Sequence, residues 1–204
     1  MIYLIITTSI NNYEGILDYY HRKDTYLNSI TKTLSLLPSD IKPIIVENNG
    51  LRQTYLDELP VKVDYTDNNS VKYYHKGVNE LLDIKYIIKK YDIKDDDLII
   101  KLTGRYYTLN DDFFQKIINN YNFDAYIKFY NVCALKFMDN DCVLGMYAIR
   151  CKYLKRFSYM DFNKSPEVEF AEFIRSNINP ENIYSITDLN LRCCFANDFT
   201  MMDV

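Results

Sequence analysis

The chain has 204 residues, 48% hydrophobic and 25% charged, a composition that excludes a disordered or collagen-like class and suits one domain with a real core. Its formal charge of −4, with basic residues only as singles or pairs such as Lys89-Lys90, leaves no basic stripe for nucleic acid. Five cysteines (Cys133, Cys142, Cys151, Cys193 and Cys194) form no Cys-x-x-Cys pair and leave one thiol over, so a reduced, cytoplasmic compartment is expected.

The opening "MIYLIITTSI" has no basic flank and turns polar far short of the ~20 apolar residues a membrane span needs. Residues 2 to 7 instead read as a strand buried on both faces. A long polar, aromatic loop follows, and from Thr25 the positions Tyr26, Ile30, Thr33, Leu34 and Leu37 recur at helical spacing until Pro38. "KPIIVENNG" is a second strand, "LRQTYLDELP" a short helix, and "VKVDYTDNN" a third strand. "HKGVNELLDIKYIIKKYDI" is a helix with Asn79 and Glu80 in its first turn, and "DLIIKLTGRY" is a fourth strand. Strands alternating with helices over the first half predict a layered α/β fold with a mostly parallel sheet.

The second half is less regular. "NDDFFQKIINNY" reads as a helix capped by Asn110, while "DAYIKFYNV" and "CVLGMYAIRC" read as strands of an antiparallel part. Ser165, Pro166 and Glu167 mark a strong helix start in "SPEVEFAEFIRSNI", and "IYSITDLNLRCCF" returns as a strand. With no linker or repeat, residues 1–204 are expected to form a single domain.

In such a sheet ligands collect beyond the carboxyl ends of the strands. That rule selects Thr7, Thr8 and Ser9, then Glu47 to Gly50, Thr66 to Asn69, and Thr103 to Tyr106. It sends Asp95, Asp96 and Asp97, which precede their strand, to the opposite rim. Tyr73, Tyr74, Tyr106, Tyr107, Phe129 and Tyr130 read as core or pocket wall.

In order and rhythm "IITTS", "IIVENNG", "YTDNN", "HKGVNELL" and "DLIIKLTGRYYTLNDDFF" resemble the nucleotide-sugar half of GT-A-fold glycosyltransferases, especially family 2-like enzymes, over residues 1 to 120. The resemblance implies a three-layer α/β/α sandwich in which residues 1–120 bind the donor and residues 121–204 the acceptor. It implies that Thr7 and Thr8 line the base pocket, that Glu47 faces uracil or ribose, and that Ser9, Asn48 and Arg22, which looks like the arginine that often follows the first strand in that family, also bind the donor. Lys76 and Asn79 would approach the diphosphate at a helix N-terminus. Where that family carries a metal-binding Asp-x-Asp, this chain carries Thr103-Gly104-Arg105. A leaving nucleoside diphosphate needs fixed positive charge, which a guanidinium supplies, so Arg105, helped by Lys76, is expected in place of Mn or Mg.

An acceptor hydroxyl needs a carboxylate to take its proton, and the second-half candidates are Glu167 and Glu169, with Glu172 beside them. The expected function is transfer of a sugar from a nucleotide-diphosphate donor, UDP-linked by preference, to a hydroxyl of a glycan or glycoprotein. The chain would be a stand-alone enzyme or one module of a longer one. The alternatives are a non-catalytic nucleotide- or sugar-binding module on the same fold, and a nucleotidyltransferase. The second normally carries a basic glycine-rich loop after its first strand, which "TTSINNYEG" lacks.

Overall fold

A computed structural model describes residues 1–11, 18–73, 75–129, 140–161, 163–194 and 200–204; Tyr74, Tyr130 and Cys133 lie outside them. In chain order the elements are β1 (Ile2–Thr8), α1 (Tyr19–Ser35), β2 (Ile41–Glu47), β3 (Val63–Tyr65), α2 (Lys76–Lys90) and β4 (Leu98–Thr103). They continue with β5 (Tyr107–Thr108), α3 (Asp112–Asn119), β6 (Ala125–Ile127), β7 (Met146–Arg150), α4 (Cys151–Arg156), α5 (Pro166–Asn177), β8 (Ile183–Ser185), β9 (Leu191–Cys194) and β10 (Met201–Asp203).

The main sheet has the order β3-β2-β1-β4-β7-β6-β8. Strands β1 to β4 are mutually parallel, and β7 runs antiparallel between β4 and β6. Alternation along β1 and β4 explains the layers. Leu4, Ile6, Ile100 and Leu102 point to one face, where Tyr26 and Ile30 of α1 and Phe113, Phe114 and Ile117 of α3 cover them. Tyr3, Ile5 and Ile99 point to the other face, under Ile84 and Ile87 of α2, Leu154 of α4 and Phe170 and Ile174 of α5. The result is a three-layer α/β/α sandwich with a mostly parallel sheet and an antiparallel part in the second half, as the sequence leads one to expect.

Four local expectations are corrected. Helix α1 begins at Tyr19 instead of Thr25, because Asp18 caps it by accepting from the His21 amide at 3.0 Å. "LRQTYLDELP" forms only a 3-10 turn, Tyr55–Glu58, closed by a capping box on Thr54. Asn110 sits one residue before the cap position Asp111 of α3, where its Oδ1 accepts from the Asp112 amide at 3.2 Å. The segment "IYSITDLNLRCC" is two strands: β8 pairs parallel with β6, whereas β9 joins β5 and β10 in a small antiparallel sheet.

The ends of β1 and β4 are drawn together beyond the strand register. The Gly104 amide donates to the Thr7 carbonyl at 2.9 Å, and the Ser29 hydroxyl of α1 donates to the Arg105 carbonyl at 3.1 Å. A Cβ on Gly104 would lie 2.7 Å from Thr8 Cγ2 and 3.1 Å from the Thr7 carbonyl oxygen, so the glycine is required by the close approach of the chain's own first strand. Adding a methyl to this packed junction is expected to cost about 1–3 kcal/mol. Urea unfolding of Gly104→Ala should show that loss; an unchanged midpoint would mean that β1 and β4 separate freely at this end.

Candidate donor and transfer cleft

Because β1, β2, β3 and β4 run the same way, their carboxyl ends share one rim, with Thr7 beside Thr103 and Thr8 beside Glu47 in register. The sequence-selected residues Thr7, Thr8, Ser9, Arg22, Asn48, Lys76, Asn79, Thr103 and Arg105 come together there and line one narrow lobe. Tyr26 and Asn69 complete its wall. At the other end of the sheet, Asp97 accepts from the Lys94 amide at 2.9 Å, and Lys155 pairs with Asp95.

Glu47 is corrected: it does not face the lobe. Its carboxylate is fully buried behind the wall, accepting from Thr8 Oγ1 at 2.6 Å, from the Ile10 amide at 3.2 Å and from the backbone and side-chain nitrogens of Asn49. Burial raises its pKa while these donors pull the other way. Glu47 thus staples the loop after β1 to the end of β2. Arg22 serves the same loop: its guanidinium donates to the carbonyls of Ser9 and Ile10 and, at 3.3 Å, to the Tyr26 hydroxyl.

An amide network underlies the lobe, and its hub, Asp83, is the member the sequence did not single out. Asp83 of α2, fully buried, accepts from Asn48 Nδ2 at 2.8 Å and from Thr66 Oγ1 and Asn68 Nδ2, each at 2.7 Å. Asn79 donates to the carbonyls of Asn68 and Val71, so the loops after β2 and β3 dock on α2. Since a carboxylate only accepts, Asp83 fixes which way the Asn48 amide points. Its Oδ1 is left buried without a partner among the described residues, an acceptor for an N–H from outside.

A second lobe opens beyond Thr103 and Arg105, with a volume of about 190 Å³ against about 40 Å³ for the first. Two helix starts meet there: a Cβ on Gly77 of α2 would lie 3.1 Å from the Cβ of Pro166 in α5. Lys76, Glu80, Thr103 and Arg105 line both lobes, and Lys101, Gly145 and Glu167 line the second. Arg105 has its Nη1 buried without a hydrogen-bond partner among the described residues, and its guanidinium lies 5.5 Å from the centre of the Tyr106 ring. Burial raises the pKa of Glu167, which faces the lobe from the first turn of α5.

Glu169 is not brought to the cleft. It accepts from the amides of Met160 and Asp161 and clamps the segment before α5, while Glu172 pairs with Lys164 at 2.6 Å on the surface. Helical geometry explains the separation, since residues two apart on a helix point to different sides.

No protein-family model matches the chain, and no curated protein matches it. Solved structures do. The chain is similar to CMP:2-keto-3-deoxy-manno-octonic acid synthetase complexed with CTP, at 10% identity and a TM-score of 0.53, covering 91% of this chain and 89% of that one. It is similar to residues 1–349 of TarS from S. aureus, at 16% identity and 0.54, covering 92% and 58%. It is also similar to the mannosyltransferase PcManGT from Pyrobaculum calidifontis in complex with GDP-Man and Mn2+, at 7% identity and 0.53, covering 92% and 55%. The chain thus spans little more than half the length of the last two. At these identities what is shared is the fold alone.

Beyond the end of β4 the second lobe presents two carboxylates, Glu80 and Glu167, and Lys101 Nζ already holds Glu80 at 2.7 Å. With Lys76 and Arg105 lining both lobes, and Glu80, one of two carboxylates there, already engaged by Lys101, this donor set suits an anion better than a divalent cation. Among the described residues no group of three or more His, Cys, Asp or Glu converges.

Burial pushes the Asp83 carboxyl up to about 7 against the pull of its three donors. Between the ordinary carboxylate range and that value, the folded chain keeps a proton that the unfolded chain has released, so this group's contribution to stability falls as pH rises through the window. Asp83→Asn should remove that part of the slope. Urea midpoints from about pH 5 to about pH 7.5 should decline more steeply for wild type than for the variant, and parallel slopes would contradict the assignment.

Proposed function

We propose that the chain is a glycosyltransferase that takes a sugar from a nucleoside-diphosphate donor, UDP-linked by preference, and gives it to a hydroxyl of a glycan or glycoprotein. The observation that carries this reading is Arg105: a guanidinium with a buried, unpartnered Nη1 at the junction of two lobes, facing the start of a long helix. That arrangement suits the diphosphate of a donor whose nucleoside lies in the first lobe and whose sugar enters the second. The locked Asn48 Oδ1 suits the imide N–H of uracil.

The roles follow from position. The acceptor hydroxyl gives its proton to Glu167 as its oxygen attacks the anomeric carbon. The bond from that carbon to the β-phosphate oxygen breaks, and the electron pair stays on the diphosphate. Arg105, Lys76 and the amides at the start of α2 meet the developing charge, so no metal is called on. Residues 1–120 serve the donor and 121–204 the acceptor side. Cys142, Cys151, Cys193 and Cys194 are all buried, which suits a reducing, cytoplasmic setting. No helix among the described residues is long and apolar enough to cross a membrane.

Melting curves and donor-hydrolysis assays against a panel of UDP-, GDP- and CDP-sugars, with EDTA present, test the reading. The expected outcome is stabilisation by a nucleoside diphosphate and slow donor hydrolysis that EDTA leaves intact. Arg105→Ala should bind the diphosphate roughly 10- to 100-fold more weakly, the loss of a charge-assisted hydrogen bond. Wild-type affinity in that variant, or activity abolished by chelation, would remove Arg105 from the metal's place. Binding without turnover would favour the non-catalytic module, and no response to any nucleotide would sink the donor site.

Glu167 has its own signature. A base must be ionised, and burial raises its pKa, so kcat/KM should climb with pH through a midpoint above the ordinary carboxylate range. Glu167→Gln should lower transfer by roughly 10²- to 10⁴-fold while leaving nucleotide affinity unchanged. A variant that transfers at the wild-type rate would return Glu167 to a helix-start role.

A further inference from the structure

Strand β4 carries a lysine inside an apolar run, and Lys101 is only 2% exposed. A buried ammonium is tolerated only when its three protons are all used. Here they are: Nζ donates to Thr103 Oγ1 at 2.6 Å and to the Leu144 carbonyl at 2.7 Å, and it pairs with Glu80 Oε2 at 2.7 Å. Lys101 therefore has no hydrogen left for a ligand. What it does is hold the Glu80 side chain, which is 31% exposed, across the point where the two lobes join. A charge buried at this cost fixes one carboxylate in place.

Resting on the donor-site reading above, we infer that Glu80 is the residue that reads the transferred sugar. With Lys76 and Arg105 on the diphosphate, the first ring beyond the phosphates reaches the wall that Glu80 shares with the second lobe. A pinned carboxylate accepts hydrogen bonds from ring hydroxyls. It repels a sugar that carries its own carboxylate, because like charges in a partly dehydrated pocket are not screened. The substrate class is thus a neutral, hydroxyl-rich sugar, with uronic acids excluded.

Titration calorimetry in EDTA compares the bare nucleoside diphosphate, its neutral hexose conjugate and its uronic acid conjugate, on the nucleotide that the panel selects; for uridine these are UDP, UDP-glucose with UDP-galactose, and UDP-glucuronate. Wild type should favour a neutral hexose conjugate over the uronate by roughly 10-fold or more. Glu80→Gln should keep UDP affinity within about 2-fold, lose about 10-fold for the hexose conjugate and narrow its margin over the uronate. Glu80→Asp, which retains the charge for Lys101 but withdraws it from the cleft, should show the same loss for the hexose conjugate and serves if the first variant folds poorly. If both variants bind the hexose conjugate as wild type does, or lose UDP and its sugar conjugate equally, Glu80 does not read the sugar. If wild type binds UDP but no sugar conjugate better than UDP itself, this inference alone fails. Failure of wild type to bind any nucleoside diphosphate removes the donor-site reading, and this inference with it.

Discussion

The organisation of the cleft depends on one constraint: the end of β4 is pressed against the end of β1. The Gly104 amide bonds the Thr7 carbonyl, and the space beside Thr8 Cγ2 admits no side chain. Because β1 also pairs in register with β2, the same contact sets Thr8 beside Glu47 and Thr7 beside Thr103. Thr103 in turn accepts from Lys101 Nζ on its hydroxyl oxygen and donates its amide to the Gly145 carbonyl. A shift of the Thr-Gly-Arg turn would therefore move the nucleotide wall, the Arg105 guanidinium and the Lys101 anchor together.

Charge in the cleft is arranged against the average of the molecule. The chain is acidic as a whole, yet Lys76, Lys101 and Arg105 gather at the start of two helices, where partial positive charge already accumulates. Such a concentration of like charge raises the cost of folding the empty site. Glu80 and Glu167 offset part of it, and Lys101 is fully neutralised by its own partners. The cations left facing the junction are those on elements nearest both lobes. The acids at the far rim, Asp95 to Asp97, engage Lys155, the Lys94 amide and the start of the chain, so they draw no charge from the cleft.

Much of this was legible in the sequence because it is local. The apolar runs of β1, β2 and β4 and the Ser165-Pro166 start of α5 could be read directly, the rule that ligands gather at strand ends chose Thr7, Thr8, Ser9, Asn48, Thr103 and Arg105, and the family resemblance added Arg22, Lys76 and Asn79; all nine line one lobe. What stayed hidden depends on pairing across distance. Whether Glu47 faces the lobe or the loop is decided by the Ile10 amide and Asn49, not by its position at a strand end. Strand β9 leaves the main sheet because β5, far earlier in the chain, offers it an edge. Asp83 looks like any polar residue on a helix until the strand-end loops deliver Asn48, Thr66 and Asn68 to it. Lys101 is a charge in the middle of a buried strand. Such a residue has to be explained by its partners, and following them leads to Glu80.

If Arg105 serves as proposed, a guanidinium in the place of a metal changes the chemistry as well as the inventory. A divalent cation exchanges with solvent and can leave with the diphosphate; Arg105 is tied to the scaffold through the Ser29 bond to its carbonyl and the Gly104 bond to β1. On that reading its charge would be present before a donor arrives and after the nucleotide departs, and the site would need no third component to assemble. Preorganisation of that kind lowers the reorganisation required as the leaving group gains charge. The same permanence strengthens the hold on the product. Release must then come from competition with water and salt around a partly open cleft, which ties turnover to ionic strength more than to metal supply.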